Sequence, residues 1–168
     1  FWQQDVVEPF DIADLPLVPA ADRFGEPIHV SVELPGRLVQ AAVLEVKVGR
    51  IRLILLDTRV KQNQPTDVSL AARLYGGDQR MRIEQELLLG VGGTRALRAL
   101  GINASVFHLN EGHSAFSLLE RARYRVQMDG MTPQQALQEV ASATVFTTHT
   151  PVDAGHDRFP ADLAVEHL

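Results

Sequence analysis

The sequence predicts an α/β fold in which an antiparallel β-meander precedes a parallel strand–helix–strand unit. Three observations carry this. Ile28–Leu34 alternates, with Ile28, Val30, Val32 and Leu34 on one face and His29, Ser31 and Glu33 on the other, the pattern of a half-buried strand. Pro35-Gly36 and Gly49-Arg50 are turn signals that fold Leu38–Val48 and Ile51–Leu56 back on it. Further on, the runs Ser105–Leu109 and Thr144–Thr147 flank helical sequence, Ala115–Met128 and Pro133–Val140. Strand, helices, strand is the order of a right-handed parallel crossover.

Composition bounds the function classes. A chain of 168 residues that is 45% hydrophobic holds one domain with a real core. It has no cysteine, so disulfides and thiol chemistry are excluded. A formal charge of -5 without a basic cluster argues against nucleic acid as a partner. No apolar run approaches the roughly 18–20 residues of a membrane span, and Phe1–Phe10 carries acids and a proline where a signal peptide needs an apolar stretch. The chain starts on Phe1 rather than methionine and stops within helical sequence, Ala161–Leu168. Both ends are expected to be cuts in a longer protein.

The elements follow in order. Phe1–Arg23, punctuated by Pro9, Pro16 and Pro19, reads as an extended lead-in packed on a neighbouring element. Ile51–Leu56 is apolar on both faces and is expected to be central and buried. Asp57 follows it directly and reads as a turn cap. Val68–Tyr75 has room for one or two helical turns, and Gly76-Gly77-Asp78 for a loop. Gln79–Leu100 is the longest helical pattern, with Ile83, Leu87, Val91 and Leu97 near helical spacing. Gly90, Gly92 and Gly93 fit neither the dinucleotide nor the Walker spacing, so they are expected to allow close helix packing, with Gly101 as the C-cap. Arg121, Arg123 and Arg125 are expected on a solvated helix face. Thr132-Pro133 opens the next helix with a cap and then proline. Val152–Pro160 is read as a loop.

The chemistry concentrates at the strand ends. Asn110, Glu111 and His113 follow the first parallel strand, and Thr148, His149 and Thr150 follow the second. Ligands of open α/β sheets bind outside the carboxyl ends of the strands. These groups supply donors and acceptors suited to sugar hydroxyls. A metal site from His108, Glu111, His113 and His149 is the rival, but no HExxH or similar close pair occurs. Alternation is also expected to send His108 toward the covering helices. A plainer alternative is that Glu111 and His113 cap the helix that follows.

The succession LYGGDQRMRIEQELLLGVGGTRALRALG, HLNEGHSAF and TVFTTHTPVDAGHDRFP, with LLDTRV before it, resembles the α-glucan phosphorylases, and more narrowly their short bacterial type. The resemblance implies part of the amino-terminal domain of a two-domain glycosyltransferase of B type. Residues 28–56 would be its meander and 79–168 its Rossmann-like α/β part. It implies phosphorolysis of α-1,4-glucan to glucose 1-phosphate, with inorganic phosphate and pyridoxal phosphate. His149 matches the histidine that contacts the sugar in the catalytic subsite. Glu111 and His113, in Asn110-Glu111-Gly112-His113, match acid and histidine positions lining the same pocket beside Thr148. Mammalian members read Asn-Asp-Thr-His there. Asp78 matches a loop acid that gates access.

The resemblance also implies what this chain lacks. The family's cofactor lysine and phosphate-binding groups lie in a carboxy-terminal domain, and its glycine-rich loop lies upstream of Phe1. The expectation is half an active site, inactive alone, in a cytoplasmic enzyme whose partners are glucan, phosphate and its own carboxy-terminal domain. A homo-oligomer stays open. Two alternatives stand beside it: a non-catalytic glucan-binding or scaffolding module, and a glycogen synthase-like glycosyltransferase.

Overall fold

The computed structural model describes residues 14–72, 77–151 and 156–168. The lead-in up to residue 13, the Leu74-Tyr75-Gly76 expectation and the glycine of the Val152–Pro160 loop lie outside them. The first sheet holds β1 (Val18–Pro19), β2 (His29–Leu34), β3 (Arg37–Val48) and β4 (Ile51–Asp57). All pairings are antiparallel and all run through the twelve-residue β3. β4 takes one edge of β3; β2, extended by β1, takes the other. The expected meander is therefore present, and part of the lead-in does pack on a strand.

The inward face of β2 and β3 is the one the alternation predicts. Ile28, Val30, Val32 and Leu34 join Val39, Ala41 and Val43 in the core. Against it lies one long helix: α2 (Gln79–Leu87), a π turn (Leu88–Gly92) and α3 (Gly93–Ala99). Ile83, Leu87, Leu88 and Ala96 close the core from that side. Gly90 sits where a Cβ would come within 2.7 Å of the Ser117 backbone nitrogen, and Gly92 faces Val32 and Leu56. The glycines do permit close packing, and the π turn absorbs the extra residue without breaking the helix. Gly101, at φ +68°, terminates it.

β4 is a correction. It was expected to be central and buried; it is an edge strand pairing with β3 alone among the described residues, and Leu53 and Leu55 are 44% and 41% exposed. An apolar run marks a strand that needs cover on both faces, and here only one face meets the helix. Asp57 behaves as read: its Oδ1 accepts from Arg59 N at 3.0 Å.

The second sheet is small. β5 (Phe107–Asn110) and β6 (Thr144–Thr147) run parallel, with Phe107 opposite Thr144 and Asn110 opposite Thr147. Between them lie a 3-10 turn (Gly112–Ser114), α4 (Phe116–Asp129) and α5 (Pro133–Ser142), and α6 (Ala161–His167) ends the chain as given. The expected crossover is thus formed, with α4 and α5 packed through Ala122, Ala136 and Val140. Thr132 and Gln135 cap α5 reciprocally. The mixed α/β class is shown by these two sheets.

Two side chains depart from expectation. Arg121 does not join a solvated face: it stacks on the Phe107 ring at 3.7 Å and donates to Thr144 Oγ1 at 2.8 Å. That ties α4 to both parallel strands. Arg123 stays exposed as expected, while donating to the buried Glu120. His108 does not point to the covering helices either. Two positions before Asn110, it shares that residue's face, is exposed, and meets Thr147 Oγ1 at 2.5 Å.

A candidate ligand site at the parallel strand ends

Parallel pairing brings the two chemistry-bearing segments side by side at the same end of the sheet. One further ladder bond, Glu111 N to Thr147 O at 2.9 Å, carries the register past the end of β5. The segments are then joined by side chains. Glu111 Oε1 accepts from the backbone N–H of His149 at 2.5 Å and of Thr150 at 3.0 Å. The Thr150 hydroxyl donates to the same oxygen at 3.3 Å, and the Thr148 hydroxyl to Oε2 at 3.3 Å. The backbone hydrogen bond from His149, aided by those from Thr150 and Thr148, holds the Glu111 carboxyl below its usual range. Asn110 Oδ1 meets His149 Nε2 at 2.5 Å. Glu111 is buried, at 6% exposure, while Asn110, Thr148 and His149 are exposed.

His113 follows on the 3-10 turn and belongs to a different neighbourhood. Its ring lies with Glu86 and Asp157 so that one ligand atom of each falls within 4.8 Å of the others. Its Nδ1 is 4.0 Å from Asp157 Oδ2, which also takes the Arg82 guanidinium. Burial, with the hydrogen bond and charge of Asp157, pushes the Glu86 carboxyl up to about 8, so Glu86 holds its proton at neutral pH. A proton on Glu86 and the guanidinium on Asp157 already balance the pair.

Asp78 is the N-cap of α2, with Oδ1 accepting from Met81 N at 2.9 Å. Among the described residues no hydrogen bond joins it to the strand ends. The structure therefore brings Asn110, Glu111, Thr148 and His149 into one bonded unit, sets His113 beside an acid pair, and leaves Asp78 on a helix start. Sequence reasoning missed Glu86, Arg82 and Asp157. A signal for Glu86 existed: it lies three residues after Ile83 and four before Gly90, on the packed stripe of its helix.

Two cavities lie elsewhere. One, of about 430 Å3, is mainly apolar and runs from β4 across Leu88 and Leu97 to Phe107 and Leu109. The other, of about 440 Å3, opens at the opposite ends of β5 and β6, beside Ser105 and Ala143. Neither is lined by Asn110, Glu111, Thr148 or His149.

The chain is similar over nearly its whole length to several phosphorylases. Maltodextrin phosphorylase of Thermococcus litoralis is 44% identical over 94% of this chain. Glycogen phosphorylase of Mycobacterium tuberculosis is 43% identical over 99% of it, and that of Aquifex aeolicus 33% identical over 99%. The chain is a homologue of the α-glucan phosphorylases. It covers 19%, 20% and 24% of those three proteins, about a fifth of their length. No family model matches the chain. The phosphorylase resemblance carried by HLNEGHSAF and TVFTTHTP thus extends over nearly every residue present.

Proposed function

We propose that the protein to which this chain belongs is a phosphorylase that releases glucose 1-phosphate from α-1,4-glucan ends, using inorganic phosphate. This chain would be part of the Rossmann-like amino-terminal domain, residues 28–56 and 79–168, of a two-domain glycosyltransferase of B type in the cytoplasm. It would supply half of a sugar-binding cleft. The observation that supports this best is the bonded unit at the parallel strand ends, in a chain homologous to phosphorylases. His149 would contact the reacting sugar, with Asn110, Glu111, His113 and Thr148 around it. Asp78 would approach from the start of α2, its carboxylate shared with the helix cap.

Pyridoxal phosphate would come with that activity, and this chain's residues do not fit it. Its two lysines, Lys47 and Lys61, are exposed on β3 and on the turn after β4. Neither is at the strand ends, so the cofactor is assigned to the rest of the protein. The chain's own part is to orient sugar hydroxyls by preorganised donors and acceptors. The facing domain would exclude water, which otherwise competes for those contacts.

The test is an assay of the full-length protein with maltoheptaose and phosphate. Sustained glucose 1-phosphate is expected, and none from the 168 residues alone. Elongation from a nucleotide sugar without phosphorolysis would show a synthase instead. Glucan binding with neither reaction would show a binding module.

A further inference from the structure

Asn110 and Glu111 sit where a sugar contact is expected, yet Asn110 Oδ1 and both Glu111 carboxylate oxygens are already engaged. Glu111 has φ 62° and ψ -171°, a backbone region reserved almost wholly for glycine. It is the single non-glycine residue with positive φ among the described residues. A side chain held there needs compensation from its surroundings. That compensation is visible: the turn throws the carboxylate across to the neighbouring loop, where both oxygens accept hydrogen bonds from residues 148–150. With the residue buried as well, the carboxylate has little capacity left for a ligand. Asn110 completes the arrangement from the last position of β5. With Oδ1 accepting, His149 Nε2 carries the proton. Nδ1 is then the ring nitrogen left for a ligand.

We propose that Asn110 and Glu111 are positioning residues that together clamp His149: Glu111 fixes its backbone, and Asn110 fixes its ring and tautomer. This deepens the phosphorylase reading and rests on it for the identity of the reaction. Glycine at position 111 would relieve the backbone strain but abolish the clamp. The hydrogen bonds of the glutamate side chain to the second loop offset the local backbone preference for glycine.

A double-mutant cycle in the full-length protein tests this, with maltoheptaose and phosphate as substrates. Glu111→Gln keeps the size but places an amide N–H2 against N–H donors. It is expected to lower kcat about 10- to 100-fold, the scale of a small misplacement of a reacting group, with KM within about twofold. Added to His149→Ala, it is expected to change kcat by less than about twofold, because it acts through His149. Multiplicative losses, or a rise in KM alone, would overturn the clamp by showing an independent sugar contact. Asn110→Ala leaves the backbone bonds in place and serves if Glu111→Gln does not fold. It should show the same non-additivity. Ring 15N shifts of His149 give a readout free of activity: the Nε2–H form should dominate in the native protein and lose its dominance in Asn110→Ala. Shifts unchanged by that substitution would contradict the ring clamp. If His149→Ala itself leaves kcat intact, the sugar assignment fails, while the ring shifts still decide the clamp.

Discussion

Two buried glutamates show how differently the two halves of the molecule are built. Glu120, on α4 where it packs against α3, is surrounded by Arg95, Arg98 and Arg123. Burial would raise its pKa, but the hydrogen bonds from Arg123, Arg95 and Arg98 outweigh that and bring it to about 2. Glu86, beside the strand-end turn, meets another carboxylate and stands at about 8. The first environment is saturated with counter-charge and serves packing. The second holds a proton that a solvated carboxylate would have released. Such opposed environments are typical of a scaffold beside a working site. Both sheets leave apolar residues uncovered: Leu53 and Leu55 on the edge strand of the meander, Val145 and Phe146 on the two-stranded parallel sheet. Parallel sheets usually have both faces covered. In the proposed reading, the rest of the enzyme supplies that cover.

The sharpest way to break the comparison is to remove a counter-charge from the scaffold. Arg37 binds Asp67 at 2.9 Å and Glu84 at 2.8 Å, and both acids are buried. Arg37→Ala strips the guanidinium from two buried carboxylates, leaving Glu84 only His167 Nε2 at 3.6 Å, and is expected to cost about 3–5 kcal/mol in urea unfolding. A loss under 1 kcal/mol would mean the scaffold is less saturated than its contacts imply. Next in size is Gly90→Ala, which forces a methyl group against Ser117 N and Phe116 Cβ. Overpacking there is expected to cost about 1–3 kcal/mol, while the open Gly93 should tolerate alanine.

The glutamates themselves give the finest test, through pH. Glu120 has a folded pKa below its ordinary 4.5, so its contribution is complete above pH 4.5 and is lost as pH falls toward 2. Glu86 has a folded pKa above 4.5, so its contribution is complete below pH 4.5 and declines as pH rises toward 8. Denaturation curves should therefore flatten on the acid side in Glu120→Gln and between pH 4.5 and 8 in Glu86→Gln. Equal effects of both variants in one window would erase the contrast.

Much of the scaffold was legible because its signals are local. Alternation at Ile28–Leu34, the Thr132-Pro133 start and the Gly101 stop each depend on a few neighbouring residues. The strand ends were legible as well, since polar residues after an apolar run announce them. What escaped depends on distant partners. Ile51–Leu56 looks buried from its own composition, but burial is decided by what lies opposite. The stacking of Arg121 on Phe107 and the meeting of Glu86 with Asp157 join residues far apart in sequence. No spacing rule announces them. The roles within the site were also hidden: Glu111 reads as a ligand group, and only its φ and its four hydrogen bonds to residues 148–150 show what it holds.

The central claim is that the parallel strand ends are the sugar-binding half of a phosphorolytic site, with His149 at its centre. The most direct measurement is steady-state phosphorolysis by the full-length protein and its His149→Ala variant. A preorganised contact that tightens in the transition state is worth about 2–4 kcal/mol. The account predicts a kcat lowered by roughly 30- to 1,000-fold with little change in KM. An unchanged kcat, or a loss confined to KM, would contradict it.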